Sequence, residues 1–230
     1  MLTVNHIIFM REHNNIVEEL RTIGWNGEEL FQEARKILTG IYQHIIYSEF
    51  LPAILGDEGM NIFGLRSAPF GHNTRYHPGV DASTRNSFGA AAYRFGHSLL
   101  GSFVESFNTD YTPLAQEPLE AHFFSTRLIR DFSNMFGPDR ISRWMTTQFH
   151  SEADRFLDSS VRNNLFETML GNGLDLGALN IQRGRDHGIP SYNRYREYCG
   201  LRPAFHFGVG PGGLSDHDLS SANALASVYR

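Results

Sequence analysis

The sequence predicts a mainly α-helical fold with long loops. Apolar residues recur at intervals of three and four along several stretches, which is the pattern of helices that bury one face. Alternation of apolar and polar residues, which marks a half-buried strand, never extends beyond a few positions. Glycine- and proline-rich stretches separate the helices without dividing the 230 residues into parts of different composition, so a single domain over 1–230 is expected.

The first helix is expected over residues 2–23, where apolar side chains fall near a 3.6-residue period. The second, over about 27–55, has a stronger apolar face, and Asn26 can cap its start. Pro52 and Gly56 mark its expected end.

The rest of the chain is expected to alternate loops with helices. Loops or irregular segments are predicted over 57–81, 105–122 and 200–216. Helices are predicted over 84–103, 158–170, 174–187 and 192–199 and after Asp216, with short helices within 123–147.

The composition excludes two classes of function. The formal net charge of −5 provides no basic field for nucleic acid. No apolar run approaches the roughly 18 residues that a membrane-spanning helix needs. Lys36 is the only lysine among 20 basic side chains, and arginine suits carboxylate ligands because it donates two parallel hydrogen bonds, although codon bias could give the same composition.

His97 is the first candidate cofactor ligand. It lies on an apolar helix between Phe95 and Leu99, and the neighbouring Gly96 lets a flat group approach the backbone. Arg94, three residues earlier, projects from the same face. The alternative is a core histidine bonded to a carbonyl group, and these residues alone favour that alternative.

Asn180, Arg183 and His187 form a second candidate site. Their spacing puts an amide, a guanidinium and an imidazole on one helix face. An amide can orient a metal-bound imidazole, and an arginine can bind a carboxylate. The flanking Leu179 and Ile181 indicate a helix enclosed on several sides, and a solvated polar face is the alternative.

The remaining candidates favour structural roles. His6 and His13 can share a helix face but lack a third metal ligand, and the REHN run at 11–14 is not the zinc motif HExxH. The glycine-rich run at 207–213 follows no strand, so it is interpreted as a loop. The Asp-His-Asp run at 216–218 is interpreted as a surface turn.

Five blocks of the sequence, in order along nearly the whole chain, resemble the animal haem peroxidases, the family of myeloperoxidase, thyroid peroxidase and peroxidasin. They are FMREHN at 9–14, EARKI at 33–37, YSEFLPAILG at 47–56, RFGH at 94–97 and ALNIQRGRDHGIPSYNRYREYCGL at 178–201. The resemblance implies a mainly helical fold, oxidation of a donor by hydrogen peroxide, haem and calcium as cofactors, and a secreted or membrane-attached protein.

The resemblance also assigns roles by position. His97 matches the proximal histidine, which is the axial ligand of the haem iron. Asn180 matches the asparagine that bonds to the other nitrogen of that histidine. Arg94 and Arg183 match the arginines that hold the haem propionates.

Other family features are expected outside this chain. The distal histidine, the catalytic arginine and the calcium loop of the family precede the REHN block by more residues than are present here, so no catalytic residue and no calcium site are assigned. Cys199, the only cysteine, matches a family cysteine whose disulfide partner is expected beyond Arg230. Met1 does not begin a signal peptide. The chain is therefore interpreted as an internal fragment that carries the proximal half of an extracellular haem peroxidase.

The expected partners are haem, hydrogen peroxide and an electron donor. Two other functions stay open. One is haem binding without turnover, and the other is an adhesion or scaffold protein that keeps the peroxidase fold.

Overall fold

The computed structural model describes residues 1–71, 76–130 and 137–229. The predicted loop over 57–81 and the predicted short helices within 123–147 each include residues outside these ranges, namely 72–75 and 131–136. Within the described ranges the fold is mainly helical, as predicted, and one two-stranded sheet accompanies the helices.

Two long helices begin the fold and pack against each other, α1 (Leu2–Leu20) and α2 (Gly27–Ile45). Asn26 begins α2 with a capping box. Its side-chain oxygen accepts the backbone N–H of Glu29, and the Glu29 carboxylate accepts the N–H of Asn26. Both predicted helices are confirmed, and the last turn of the first is a 3₁₀ turn at Arg21–Ile23.

The helical path after α2 extends further than the sequence predicts. A π-helical turn at Ile46–Phe50 leads into α3 (Leu51–Ile62), which bends at Gly56 where φ is 65°. Pro52 is near the start of α3, where its missing N–H costs no helical bond. Gly56 has non-helical φ and ψ and divides α3 into two helical pieces, so the predicted end of the helix near residue 55 is confirmed. The predicted loop from residue 57 is wrong, because the second helical piece continues to Ile62.

The predicted third helix is broken into two pieces. A short α-helix, α4 (Asn86–Ala90), is followed by a 3₁₀ helix at Ala92–Leu99 after a break at Ala91, where φ is −139° and ψ is −65°. Nothing in the sequence predicts this break, because three consecutive alanines favour a continuous helix. The 3₁₀ geometry affects the site, since it aligns residues three apart on one side.

Residues 103–118 form an antiparallel hairpin of β1 (Phe103–Phe107) and β2 (Pro113–Pro118) with one bulge. Paired positions run from Phe103 opposite Pro118 to Phe107 opposite Pro113. The prediction of an irregular segment here is wrong, and the burial pattern gives the reason. The buried side holds Val104 and the polar Ser106, whereas Phe103 is exposed, so polarity does not alternate with burial.

The main buried cluster joins the hairpin to the first helix. Two helices follow the hairpin, α5 (Arg127–Arg130) and α6 (Pro138–Thr147), which confirms the prediction of short helices for the described part of this stretch. The cluster contains one residue from each of four elements: Val4 from α1, Val104 from β1, Leu128 from α5 and Ile141 from α6.

The predicted helix over 158–170 is a single turn, α7 (Ser159–Arg162). Asp158 caps this turn by accepting the N–H of Ser160. Beyond it the chain forms a loop in which Asn172 Oδ1 accepts two backbone N–H groups. The prediction is wrong beyond the first turn, because asparagine side chains that satisfy backbone groups locally compete with helix formation.

The last three helices are confirmed, α8 (Leu176–Asp186), α9 (Tyr192–Tyr198) and α10 (Leu219–Val228). Asp175 begins α8 by accepting two backbone N–H groups, and Gly188, with φ of 63°, follows its end. Among the described residues, no helix combines the length and the apolar character needed to cross a bilayer.

Candidate functional site

The site forms where α8 meets the 3₁₀ helix Ala92–Leu99. Asn180 Nδ2 and His97 Nδ1 are 2.8 Å apart, although 83 residues separate them in the sequence. Both residues are half-buried. Two of the four predicted site residues are therefore in direct contact.

Arg94 lies beside His97 on the same 3₁₀ helix. Its Nε donates to the carbonyl oxygen of Ala90 at 3.1 Å, and its guanidinium lies 5.3 Å from the centre of the Tyr93 ring. The terminal nitrogens of Arg94 have no hydrogen-bond partner within the described ranges. These contacts hold the side chain in place and leave its two terminal nitrogens free to bind an anion.

The polar stripe on α8 does not act as one unit. Asn180 contacts His97, and His187 bonds to Asn86 at 2.7 Å. The Arg183 side chain is exposed and makes no hydrogen bond or ion pair with any described residue. The expectation that α8 is enclosed on several sides is wrong, because none of its residues is buried.

Burial and charge keep His97 neutral. Partial burial lowers the pKa of His97 below its ordinary value of 6.5, the Arg94 charge lowers it further, and the hydrogen bond with Asn180 opposes both. A neutral imidazole is the form that binds metals, because one ring nitrogen then keeps a free lone pair.

The Asn180 amide decides which nitrogen of His97 is free. With Nδ2 donating to Nδ1, the His97 proton sits on Nε2, and Asn180 Oδ1 is buried without a partner among the described residues. The reversed amide fits the same space, because its oxygen and nitrogen have nearly the same shape. Oδ1 then accepts the Nδ1 proton of His97, and Nε2 is free to bind a metal.

A groove of about 960 Å³ lies elsewhere, between α1 and α2. His6 and His13 both line it, which confirms that they share a face, and His13 Nε2 is 3.3 Å from the carbonyl oxygen of Phe31. No residue of the 3₁₀ helix or of α8 lines this groove. Nothing in the sequence predicts this groove, because its walls are the inner faces of two ordinary amphipathic helices.

The other weak candidates have structural roles. Asp216 accepts hydrogen bonds from Arg196 and from the Tyr192 hydroxyl, so it ties α9 to the loop before α10. Asp218 caps α10, and its hydrogen bonds with Ser220 and Ser221 lower the pKa of its carboxyl. Cys199 is an exposed thiol.

Comparison with known proteins shows the family of this chain. The chain belongs to the animal haem peroxidase family, whose model matches residues 1–230. It is 43% identical to the peroxidase-like protein of Margaritifera margaritifera over its whole length, 38% identical to human peroxidasin homolog over 90% of its length and 36% identical to mouse myeloperoxidase over 99%.

The same fold occurs in a solved structure. Peroxidase A from Dictyostelium discoideum matches 96% of this chain with a TM-score of 0.78 and 31% identity. The chain spans 30% of the Margaritifera relative, 14% of the human one and 31% of the mouse one, and 39% of the Dictyostelium chain.

The donors at His97 fit a haem better than a metal held by protein alone. Within 1–71, 76–130 and 137–229, no three His, Cys, Asp or Glu side chains are grouped to bind a metal ion. A haem iron takes a single imidazole from the protein, because the porphyrin provides its other nitrogen donors. A side chain added at Gly96, the residue before His97, would meet nothing within 4 Å.

One residue of the site was missed by the sequence analysis. Asn86 bonds both the imidazole and the backbone carbonyl of His187. No local signal identifies it, because an asparagine near a helix start is ordinarily interpreted as a cap.

Proposed function

We propose that this chain forms the proximal side of the haem site in a peroxidase that oxidises a donor with hydrogen peroxide. The observation that carries the proposal is the 2.8 Å contact between Asn180 and His97 Nδ1. Once the amide oxygen faces Nδ1, His97 Nε2 keeps a free lone pair for a metal.

A bound haem would supply the redox-active iron that reacts with peroxide. His97 would hold the iron through Nε2. It stays neutral near physiological pH, because burial and the charge of Arg94 keep its pKa low. Asn180 orients the ring, and by accepting the Nδ1 proton it raises the basicity of Nε2.

Arg94 and Arg183 are proposed to bind the two haem propionates. Both guanidinium groups have donors without partners among the described residues, and each comes from one of the two segments that meet at the site. Carboxylates are the natural partners of such donors. Arg94 is the better held of the two, since its Nε is already bonded to Ala90.

We assign no catalytic residue in the chain. Residues 1–230 are proposed to be part of one peroxidase domain, and their function is to bind and orient the haem. Turnover by these 230 residues alone is therefore expected to stay close to that of free hemin. The names of the matched relatives, such as myeloperoxidase and chorion peroxidase, support a peroxidase-type oxidoreductase.

We also propose that the chain works outside the cell, on the basis of its family, and that Cys199 forms a disulfide with a cysteine elsewhere. The exposed thiol supports this pairing.

A hemin titration tests the proposed function. The full chain is expected to bind hemin with an imidazole-type absorption spectrum that His97→Ala removes. His13→Ala is the matched control, since His13 lines the apolar groove between α1 and α2 that could take up hemin nonspecifically. If His97→Ala keeps the parent spectrum, or if His13→Ala removes it, the proposal is wrong.

A further inference from the structure

A second bridge joins α8 to the segment that carries His97. His187 Nδ1 lies 2.7 Å from Asn86 Oδ1, and Asn86 Nδ2 donates to the His187 carbonyl oxygen at 3.0 Å. His187 is the residue that ends α8, and Asn86 is the first residue of α4. One amide side chain thus satisfies both an imidazole and a carbonyl group at a helix end, where backbone partners are lacking.

The two bridges lie well apart along α8. Asn180 and His187 are separated by seven residues, which is about 10 Å along a helix axis. A helix held at one point can pivot, but a helix held at two such points cannot. A pivot of about 5° at His187 moves Asn180 by about 0.9 Å. That displacement lengthens the 2.8 Å contact with His97 beyond hydrogen-bond range.

The segment that carries His97 also contacts α8 at two points, Asn86 and His97. Asn86 and His97 lie on either side of the break at Ala91, so α4 and the 3₁₀ helix do not form one rigid rod. The 3₁₀ helix is also held at its end, where Ser98 Oγ accepts the N–H of Asp154 and the Leu99 carbonyl accepts the N–H of Ser151, but neither of these contacts reaches α8. The Asn86–His187 and His97–Asn180 contacts together attach both α4 and the 3₁₀ helix to α8, one on each side of the break at Ala91.

We infer that Asn86 and His187 are positioning residues that set the approach of Asn180 to His97. The expected effect on hemin affinity rests on the proposed function, whereas the expected effect on the His97–Asn180 contact does not. Both side chains of the bridge are exposed. Removing them is therefore expected to cost little global stability, and the variants should fold.

The haem-free chain gives a test that needs no cofactor. At alkaline pH the ring of His97 is neutral, and the ¹⁵N shifts of its two nitrogens report which one carries the proton. The wild type is expected to hold the tautomer protonated at Nδ1, because the buried Oδ1 of Asn180 then gains a donor that it otherwise lacks. Asn86→Ala is expected to give a mixture of tautomers, and His187→Ala a smaller change, because it keeps the bond from Asn86 to the His187 carbonyl.

The hemin-loaded chain gives the second test. Asn180→Ala is expected to lower hemin affinity about 10-fold, as is usual for partners of a metal-bound histidine, and Asn86→Ala about threefold. In a double-mutant cycle, Asn86→Ala is expected to add almost nothing once Asn180 is alanine, because its effect passes through Asn180.

Asn193→Ala is the matched control. Its side chain also makes two bonds to one distant residue, at 2.8 Å and 2.9 Å with Ala204, and it ties α9 to the following loop away from His97. If Asn86→Ala changes the His97 tautomers no more than Asn193→Ala does, the inference is overturned. If the tautomers change as expected but His97→Ala binds hemin as the parent does, only the proposed function is wrong.

Discussion

Single side chains decide what the site can bind. Two of them, Arg94 and His97, lie on the 3₁₀ helix, and the other two, Asn180 and Arg183, lie on α8, far away in the sequence. The family resemblance predicts a role for each of the four, and the structure shows two of them, His97 and Asn180, in contact. Residue types alone could not show that contact, because the spacing along each helix carries no information on how the helices meet. For the same reason the partnership of Asn86 with His187 was not predictable.

Asn180 is expected to control the reduction potential of a bound haem iron. Asn180→Ala removes the group that accepts the Nδ1 proton, which makes His97 a weaker donor and raises the potential. Asn180→Asp provides a stronger acceptor and lowers it. Spectroelectrochemical titration of the hemin-loaded chains measures both, and shifts of the same sign in the two variants would contradict the assigned role.

The two arginines are expected to contribute unequally to haem retention. Arg94→Ala loses a charge-assisted contact from a held, half-buried side chain, which is worth about 1.5–3 kcal/mol. Arg183 is exposed, so its loss is expected to cost about 1 kcal/mol or less. Hemin dissociation constants measure both, with Arg185→Ala as the control on the same helix. An effect of Arg185→Ala as large as that of Arg94→Ala would count against propionate binding.

At the scale of elements, the sequence predicted the helices whose apolar faces are continuous and whose caps are local, such as α2 with Asn26 and α8 with Asp175. The sequence-based prediction was wrong where long-range packing or side-chain hydrogen bonds determine the secondary structure. The hairpin buries Ser106 and exposes Phe103, and the loop after α7 uses asparagine side chains in place of helical bonds. Neither outcome is visible in local periodicity.

His122 gives the hairpin region a pH-dependent stability. Burial lowers the pKa of His122, the Glu117 carboxylate opposes this, and the Arg127 charge lowers the pKa again. Its Nε2 is 3.1 Å from a carboxylate oxygen of Glu117. Burial is the largest of these effects, and the pKa of His122 is lowered overall.

The sign of the pH effect follows from linkage. Because the folded chain favours neutral His122, the unfolded chain binds more protons below the ordinary pKa of 6.5. The stability that neutral His122 contributes is present above 6.5 and is lost as the pH falls through its lower folded pKa. Denaturant midpoints across this range should fall less in His122→Asn than in the parent. An equal fall in both would show that His122 does not contribute.

At the scale of the whole molecule, the chain exposes far more surface than its mass predicts. Its accessible area is 16778 Å², whereas a folded monomer of 26.1 kDa is expected to expose about 10,600 Å². Large apolar side chains contribute to this area, with Leu170 fully exposed, Phe149 at 99% and Phe124 at 79%. Surfaces of this kind ordinarily pack against further polypeptide.

The isolated 230-residue chain is accordingly expected to bind an apolar dye and to associate at high concentration. Sedimentation at several concentrations measures the association. Leu170→Arg should weaken it without changing the unfolding midpoint, because that side chain contributes nothing to the core. A chain that stays monomeric and binds no dye would contradict the view that its exposed apolar surface packs against further polypeptide.

The most direct measurement of the central claim is the iron–imidazole stretching band in the resonance Raman spectrum of the reduced, hemin-loaded chain. The band is expected to be present in the wild type and absent in His97→Gly. Adding free imidazole is expected to restore the band, because imidazole can occupy the space that the side chain vacates. A band that persists unchanged in His97→Gly without imidazole would show that another residue binds the iron.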